Sequence, residues 1–335
     1  MPASATAWAF CHEALPHVSR TFALTVPVLP LPLSDTVCCA YLMCRAADTI
    51  EDRVDLPLAL RDRLYDEMLA LFSDGADPQR FVLLWPHTDE LWLQRLMTGI
   101  GQVLEAWRSL QPPDRQAVQA CVVEMIDGMR RLGHSRPDAG PFFVSGSVEE
   151  LERYCHYVAG TVGLMLTRLF NQALDIRLSE SEGHRFGLGL QLTNILKDHE
   201  GDVGRGTSFI PRSFLNESLK LRPEYRAALI ERTLGHLEAA HAYTLSIPTR
   251  HDGVRLFCLW ALWMAVATLR EVGKARGPHP KISRVEVARV VAQSRAEVRD
   301  DARLDRSFRR LLDEARKGLP AGAVQVLAHA DANAH

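Results

Sequence analysis

The chain has 335 residues, of which 47% are hydrophobic and 24% are charged, an ordinary composition for a folded protein with a sizeable core. Its formal net charge of −2 creates no overall electrostatic field that would attract nucleic acid or an anionic membrane. We therefore expect no nucleic-acid partner, and any anionic ligand must be bound by local groups of basic residues.

The hydrophobic runs and the cysteines indicate the compartment. Residues 1–17 contain no basic segment followed by an uninterrupted apolar core, so we expect no secretory signal. The most hydrophobic run, residues 256–269, is shorter than the ~20 residues that span a bilayer, and it predicts a buried helix. The seven cysteines form no metal-type CxxC pairs, which indicates reduced thiols and a cytoplasmic location. Three of them are expected to be small core residues: Cys38, Cys39 and Cys44.

Helical patterning runs along nearly the whole chain, and strand signals are almost absent. Capping boxes mark helix starts at Ser147 with Glu150 and at Ser179 with Glu182. Breaks rich in Pro and Gly separate roughly ten helices of about 12 to 25 residues. The breaks fall at residues 27–35, 73–79, 111–114, 135–146, 201–213, 246–253 and 276–283. No internal repeat or low-complexity linker divides the chain, so we predict one all-α domain over residues 1–320, followed by a flexible tail, residues 321–335.

The first acidic motif is "RAADTIED", residues 45–52, which follows a strongly apolar run. If the segment is helical, Asp48, Glu51 and Asp52 stand at i, i+3 and i+4 and project from one face. Like charges at this spacing repel one another and weaken an isolated helix. The motif therefore requires a positive partner.

The second acidic motif lies in residues 192–206 and also follows an apolar segment. Asp198 and Asp202 are at i and i+4, with Asn194 one turn earlier on the same face. Taken singly, either motif could be a solvated helix face or a cap. The apolar sequence before each motif, and the basic residues beside both, favour a binding site instead.

Oxygen ligands without His or Cys in matching register favour Mg²⁺ or Mn²⁺ over Zn²⁺. Carboxylate pairs on facing helices would repel unless cations lie between them, and Mg²⁺ usually completes its shell with water and substrate phosphate. Nearby Arg and Lys side chains then bind the phosphate oxygens. The two motifs together predict a diphosphate substrate in an apolar, all-helical cavity.

The chain resembles the squalene/phytoene synthase family, the head-to-head prenyl transferases, in four blocks with similar order and spacing. These blocks are "VSRTF" (18–22), "AYLMCRAADTIED" (40–52), "YCHYVAGTVGLMLTRLF" (154–170) and "LQLTNILKDHEGDVGRGTSFIP" (190–211). Residues 257–269 and 280–284 are similar to later blocks of the squalene synthase branch, and the likeness covers roughly residues 10–290. The resemblance implies a single-domain isoprenoid-synthase-type helical bundle around a central cavity.

The resemblance also implies roles for individual residues. Mg²⁺ ions, or Mn²⁺ in their place, would bridge the diphosphates from five acids: Asp48, Glu51, Asp52, Asp198 and Asp202. The diphosphates would be bound by Ser19, Arg20, Arg45, Gln191, Asn194, Lys197 and Arg205. Tyr41, Tyr154 and Tyr157 would line the reaction chamber, and one of them would help to remove a proton. Lys281 and Arg284 would lie near a second diphosphate or the cofactor NADPH.

The activity that the resemblance implies is squalene synthesis. Two farnesyl diphosphates would condense head to head to presqualene diphosphate, and reduction by NADPH would give squalene. The alternatives are a dehydrosqualene, hydroxysqualene or phytoene synthase, and a non-catalytic helical protein that binds isoprenoids. Because the product is insoluble in water, we expect a loose peripheral contact with membrane, made by a monomer or a homodimer.

Three departures from the family pattern bear on these expectations. Gly201 stands where squalene synthases usually have an acid, and Glu200 would compensate only from a different angle on the helix. Thr207 occupies a position that is commonly Arg, so Arg205 or Arg212 would have to take its place. The third departure is Ala261–Leu262, which replaces a Pro-Gln pair typical of the eukaryotic enzymes and bears on the use of NADPH.

The tyrosine block also has a purely structural interpretation. Tyr154 and Tyr157, at i and i+3, could equally be core aromatics, and His156 is expected to be an ordinary core histidine. Gly160 and Gly163 each cost a helix ~1 kcal/mol relative to Ala, so a ligand or a neighbouring helix must approach them closely.

Overall fold

A computed structural model describes residues 4–134, 142–274 and 280–327, apart from the side chain of Arg20. The chain forms two compact units that interleave along the sequence. The first contains Met1–His134 and Met165–Ile176, and the second contains Ser135–Leu164 and Arg177–His335. The prediction of one catalytic domain over residues 1–320 stays a prediction, and residues 328–335 of the predicted tail lie outside the described residues.

The first unit is built from helices. In chain order they are α1 (Ala5–Val18), α2 (Arg20–Thr25), α3 (Leu33–Asp52), α4 (Leu58–Ala70), α5 (Pro78–Leu84), α6 (Leu91–Thr98), α7 (Ile100–Ser109) and α8 (Pro112–Gly133). A 3₁₀ turn, Val26–Val28, follows α2. Helix α3 is the central element, because it packs against α1, α4, α7 and α8. Its apolar residues are buried nearly all round, which is typical of a core helix.

The second unit continues the helical architecture. Its helices are α9 (Val148–Cys155), α11 (Glu180–Gly204), α12 (Pro223–Ser246), α13 (Asp252–Gly273), α14 (Arg284–Glu297) and α15 (Asp301–Arg316). Helix α10 (Thr161–Leu174) begins in this unit, and its residues from Met165 onward belong to the first. A π-helical segment, His156–Gly160, joins α9 to α10, and a 3₁₀ turn, Arg212–Phe214, follows α11. Helix α11 packs against α9, the π segment, α12 and α13.

The predicted buried helix at residues 256–269 is confirmed as part of α13. Trp260 and Trp263 of this helix are fully buried. In the part of the chain that the structure describes, α13 is also the one helix long and apolar enough to cross a membrane, and 72% of its most apolar stretch is buried. A core helix passes the same test of length and composition.

Strand content is as low as predicted. Strands β1 (Phe142–Phe143) and β2 (Thr207–Ser208) pair in parallel, with Phe142 opposite Thr207. The prediction of roughly ten helices was wrong, because the described residues contain fifteen. The short helices α2, α5, α6 and α9 have six to eight residues, below the length that periodicity can separate from a turn.

Both predicted helix starts are confirmed. The hydroxyl of Ser147 accepts a hydrogen bond from the backbone N–H of Glu150 at 3.2 Å, and Ser179 caps α11 through Glu182 at 3.3 Å. At the first cap the Glu150 carboxylate accepts from the N–H of Gly146. This glutamate therefore stabilises the residue before the cap. All seven cysteines are free and buried, as expected for small core residues.

Candidate active site

The acids of the first motif lie on the last two turns of α3, as the spacing predicted. Asp48 and Glu51 are half-buried and Asp52 is exposed. The Arg45 guanidinium lies 3.4 Å from the Asp52 carboxylate, so the cation predicted beside the motif is in contact with it. Because this ion pair is long and partly exposed, we expect it to contribute little to the free energy of unfolding.

The buried environment of Asp48 shifts the pKa of its carboxyl group. Burial raises the pKa of this carboxyl to about 7, Arg45 opposes the rise, and Asp52 adds to it. The Nε of Arg45 is itself buried and has no hydrogen-bond partner among the described residues. A buried N–H without a partner costs free energy, so this guanidinium is suited to an anionic ligand that would accept from it.

Ser19 and Tyr41 come together with the first motif. Ser19 ends α1 and caps α2, where its hydroxyl accepts from the N–H of Phe22 at 3.0 Å. The Tyr41 hydroxyl donates to the carbonyl of Val18 at 3.0 Å. Burial raises the pKa of Tyr41, while a hydrogen bond with the Ser19 side chain and the charge of Arg45 lower it. The side chain of Arg20, predicted as a diphosphate ligand, lies outside the described residues.

Two buried residues of α4 were missed by the sequence analysis. Tyr65 lies beside the first motif, since its pKa is raised by burial first and then by the charge of Glu51. Arg61 is one turn earlier, is buried, and opposes that rise. The available signal was that α4 is the next helix along the chain, and consecutive helices often pack together.

The acids of the second motif lie near the end of α11. Lys197 contacts two of the predicted residues, with its Nζ 3.4 Å from the Asn194 side-chain oxygen and 3.1 Å from the Asp198 carboxylate. Asp202 is buried and forms an ion pair with the exposed Arg205, which caps the helix. The structure therefore brings the predicted acids and bases of this motif together in two neighbouring groups.

The remaining residues of the second motif clarify one of the departures. Gln191 is half-buried on α11, one turn before Asn194. Glu200 is exposed, whereas Gly201, the position at which the acid is missing, is half-buried. Glu200 thus differs in environment from the position for which it was expected to compensate.

The loop after α11 is fixed by backbone pairing. Gly206 has φ +81°, a conformation that side chains disfavour, and its carbonyl accepts from the N–H of Phe142 at 2.9 Å. Arg212 donates to the carbonyls of Leu215 and Asn216, both at 3.2 Å. Arg212 is therefore bound to its own loop, and Arg205 is the basic residue that stays beside an acid at this end of α11.

The predicted tyrosines follow one another on α9 and the π segment. Tyr154 is buried and stacks on Phe209 with ring centroids 4.8 Å apart. Tyr157 is half-buried and is the second residue of the π segment. Such π-helical insertions often occur at functional sites.

Lys281 and Arg284 lie at the N-terminal end of α14. Both are exposed, and Arg284 is the first residue of α14, which packs against α13 and α15. Ser283 caps this helix through the N–H of Glu286. Their predicted role with NADPH or a second diphosphate stays a prediction.

The donor set fits Mg²⁺ in chemistry. Within the ranges that the structure describes, no three His, Cys, Asp or Glu side chains lie close enough together to hold a metal by themselves. Each motif offers carboxylate oxygens, the ligand type that Mg²⁺ prefers, and Mg²⁺ usually keeps water and phosphate oxygens in its shell. The motifs therefore suit a metal that arrives with a diphosphate.

Comparison with known proteins indicates the family to which the chain belongs. A family model described as squalene/phytoene synthase matches residues 15–291. Squalene synthase of Nicotiana benthamiana is 30% identical over 289 residues, which is 78% of this chain and 64% of that protein. The chain thus spans less than two thirds of the length of this plant relative.

Two solved structures are similar in fold. A complex of TcSQS with the ligand BPH1237 has a TM-score of 0.78 and 21% identity, covering 98% of each chain. A dehydrosqualene synthase in complex with a ligand has a TM-score of 0.62 and 21% identity, covering 88% of this chain and 96% of that one. At these identities the likeness shows the fold.

The fold and the paired acidic motifs define an all-helical isoprenoid-synthase-type protein. The family match over most of the chain identifies the group within that class. The chain belongs to the squalene/phytoene synthase family, whose members are prenyltransferases.

Proposed function

We propose that the protein is a Mg²⁺-dependent farnesyl-diphosphate farnesyltransferase that makes squalene by way of presqualene diphosphate. The observation that carries the proposal is the environment of Arg45, which combines a buried, unpartnered Nε among the described residues with two neighbouring carboxylates, Asp48 and Asp52. A cation held by the acids and an anion bound by the guanidinium would satisfy both sets of charges.

The first chemical requirement is stabilisation of the leaving group. Ionisation of an allylic diphosphate produces an anion and a carbocation together, and both must be stabilised. Bound Mg²⁺ supplies Lewis-acid stabilisation of the departing diphosphate. In the first motif, Arg45 would donate charged hydrogen bonds to diphosphate oxygens and the Ser19 hydroxyl a neutral one. In the second motif, Lys197 and Arg205 would donate charged hydrogen bonds to diphosphate oxygens.

The carbocation is the second requirement. It must be kept from water, and aromatic ring faces can stabilise its positive charge. Tyr41, Tyr154 and Tyr157 serve this role in the proposal. One of these tyrosine hydroxyls would help to remove the proton that is lost when the cyclopropane ring of presqualene diphosphate closes, by passing it to the released diphosphate.

The reductive half needs NADPH, which Lys281 and Arg284 would bind through its phosphates. Helix α13 runs without a break through Ala261 and Leu262, and Leu262 is fully buried. A dehydrosqualene synthase is the second candidate, because a structure of that activity has a similar fold. It would carry out the condensation and release a product without reduction.

The test is incubation of the purified chain with farnesyl diphosphate and Mg²⁺, with and without NADPH, followed by mass spectrometry of the extract. Squalene formed only with NADPH supports the full proposal. Presqualene diphosphate, dehydrosqualene or hydroxysqualene despite NADPH would assign the protein to a sister activity. Phytoene from geranylgeranyl diphosphate, with no turnover of farnesyl diphosphate, would change the substrate length.

A non-catalytic isoprenoid-binding protein is the alternative from another class. Asp48→Asn would leave lipid binding intact in such a protein, whereas it would abolish turnover in the enzyme. Within the proposal the chain acts in the cytoplasm as a monomer or homodimer, with a loose membrane contact that delivers its water-insoluble product. Flotation with liposomes and sedimentation equilibrium would test these two features.

A further inference from the structure

His156, which the sequence predicted to be an ordinary core histidine, has a specific partner. Its Nδ1 lies 3.0 Å from the Nε2 of His184 on α11, and the ring centroids are 5.1 Å apart. Both side chains are half-buried. The bond needs one ring nitrogen that carries a hydrogen and one that does not, so a leucine at either position cannot form it.

The histidine pair spans the π segment. His156 is the first residue of this segment and Gly160 is the last. A Cβ added at Gly160 would lie 2.7 Å from the His184 ring, so the ring occupies the space that a side chain would need. His184 thus contacts the end of the π segment directly and its beginning through His156.

The backbones of the two helices also touch here. A Cβ at Gly163 would lie 2.1 Å from the carbonyl oxygen of Gly183, and one at Gly187 would lie 2.1 Å from that of Ala159. These contacts fix the distance between the helices. Because glycine has no side chain, the rotation and hydrogen bonding of the π segment must be set by the side chains of other residues.

A second group of contacts anchors the preceding turn. Glu152 of α9 accepts from Arg232 at 2.7 and 2.9 Å, and it also lies 3.0 Å from the Nε2 of His236. Arg185, the neighbour of His184, lies 3.5 Å from the Nδ1 of His236. The stretch from residue 152 to residue 160 is therefore held at both ends.

We propose that His156 and His184 are positioning residues that fix the π segment and, through it, the orientation of Tyr157. The ring of Tyr157 lies 5.2 Å from that of His156, between centroids. The inference rests on the proposed function, in which Tyr157 faces the reacting carbocation. Misplacement of a catalytic group by about 1 Å can reduce a rate on the order of 100-fold.

The test compares His184→Leu, which removes the hydrogen bond at similar volume, with His184→Gln, which retains a donor and an acceptor. His241→Leu is the matched control, because His241 of α12 lies in the same unit and contacts Asp305 and Phe308 of α15. Two measurements are made on each full-length variant: hydrogen exchange of the peptide that covers residues 154–164, and kcat and KM for farnesyl diphosphate.

We expect His184→Leu to speed exchange in residues 154–164 and to lower kcat by roughly tenfold or more, with KM changed by less than about threefold. His184→Gln should restore both values to near wild type, and the control should change neither. The same pattern for His156→Leu, with no further loss in the double variant, would show that the two rings act as a unit.

Unchanged exchange in residues 154–164 overturns the inference, as does faster exchange across the whole unit with a general loss of stability. If exchange responds locally while kcat stays at the wild-type value, the pair holds the π segment without positioning Tyr157, and the inference fails. Absence of turnover in the wild type is a failure of the proposed function, and the exchange measurement then decides the structural half alone.

Discussion

The buried carboxyl group of Asp48 serves the proposed activity but lowers the stability of the metal-free protein. Burial raises its pKa from 3.8 to about 7, so the folded state binds a proton more tightly than the unfolded state does. Stability therefore decreases as the pH rises from about 4 to about 7 in the absence of a cation. A carboxylate that destabilises the free protein is consistent with a group kept for ligand binding.

Asp48→Asn should stabilise the metal-free protein and inactivate it. At pH 8 in EDTA we expect the free energy of unfolding to rise by on the order of 1–3 kcal/mol, because the amide carries no buried charge. The difference from wild type should vanish below about pH 3, where Asp48 is protonated in both states. Denaturant unfolding across this pH range measures the first effect, and product formation measures the second.

Asp89→Asn is the control for this prediction, because the Asp89 side chain is fully exposed. It should change neither the pH dependence nor the turnover of farnesyl diphosphate. Retention of more than about a tenth of wild-type turnover by Asp48→Asn would contradict the assigned role, since loss of a charge-stabilising group usually costs 100-fold or more.

The sequence predicted contacts between residues correctly where both partners lie on the same helix. Arg45 lies two helical turns before Asp52, Lys197 is adjacent to Asp198 in sequence, and the structure brings each pair together. His184 was missed because its partner lies 28 residues away on another element. Spacing along one helix carries no information about which face of a second helix will meet it.

At the scale of elements, the packing of the α10 start against α11 predicts opposite effects for two glycines. Gly163→Ala would place a methyl group 2.1 Å from the Gly183 carbonyl oxygen, so the backbones must separate. We expect a loss of about 2 kcal/mol or more in the free energy of unfolding, as for other overpacked cores. Urea unfolding followed by circular dichroism measures it.

Gly235→Ala is the matched variant, since nothing lies within 4 Å of a Cβ at this position of α12. There the alanine should stabilise the protein by up to about 1 kcal/mol through its higher helix propensity. Equal effects of the two substitutions would mean that α10 and α11 are not in close contact at Gly163.

Glu152 provides a separate prediction for the joint between α9 and α12. Burial alone would raise the pKa of Glu152, but hydrogen bonds from His236 and Arg232 outweigh it and lower the pKa to about 2. The stabilisation is therefore complete above the ordinary pKa of 4.5 and is lost as the pH falls towards 2.

Glu152→Gln should lower the free energy of unfolding at pH 7 by about 2–3 kcal/mol and should flatten its decrease between pH 5 and pH 2. Thermal unfolding as a function of pH measures both. Glu217→Gln, on an exposed residue, is the control and should reproduce the wild-type curve. A wild-type curve for Glu152→Gln would show that the three-residue contact contributes nothing.

Element type was easier to predict than element length. The caps at Ser147 and Ser179 are local signals, and both mark real helix starts. The π segment at His156–Gly160 could not be predicted, because five residues are too few to reveal a change in hydrophobic period. Its stabilisation comes from His184 and the glycines of α11, which are remote in sequence.

At the scale of the whole molecule, the two units interleave, since Met165–Ile176 belongs with the N-terminal unit. The sequence contains no linker between domains. This agrees with the structure, because each unit is made of two separate stretches of chain and no single position divides them. Each unit carries one acidic motif, with Asp48 in the first and Asp198 in the second. A substitution in each motif therefore tests each unit separately.

Mg²⁺ and inorganic diphosphate should stabilise the protein together by more than the sum of their separate effects. The acids repel diphosphate when no cation is bound, and the cation lacks a full set of ligands when no diphosphate is bound. At a concentration about 100 times the dissociation constant, such a ligand raises the free energy of unfolding by about 2.7 kcal/mol. Thermal unfolding with each component alone and with both measures the excess.

Asp48→Asn and Asp198→Asn should each reduce this joint stabilisation, because each removes a carboxylate from a different motif. Asp89→Asn should leave it intact. If only one motif mattered, one of the two variants would keep the full joint effect, and the assignment of that variant's motif to metal and diphosphate binding would be wrong. If both variants kept it, the stabilisation would come from ions bound elsewhere, and the assignment of these acids to the metal would fail. Loss in both variants, with the control unchanged, is the outcome that the charges around Arg45 and Lys197 lead us to expect.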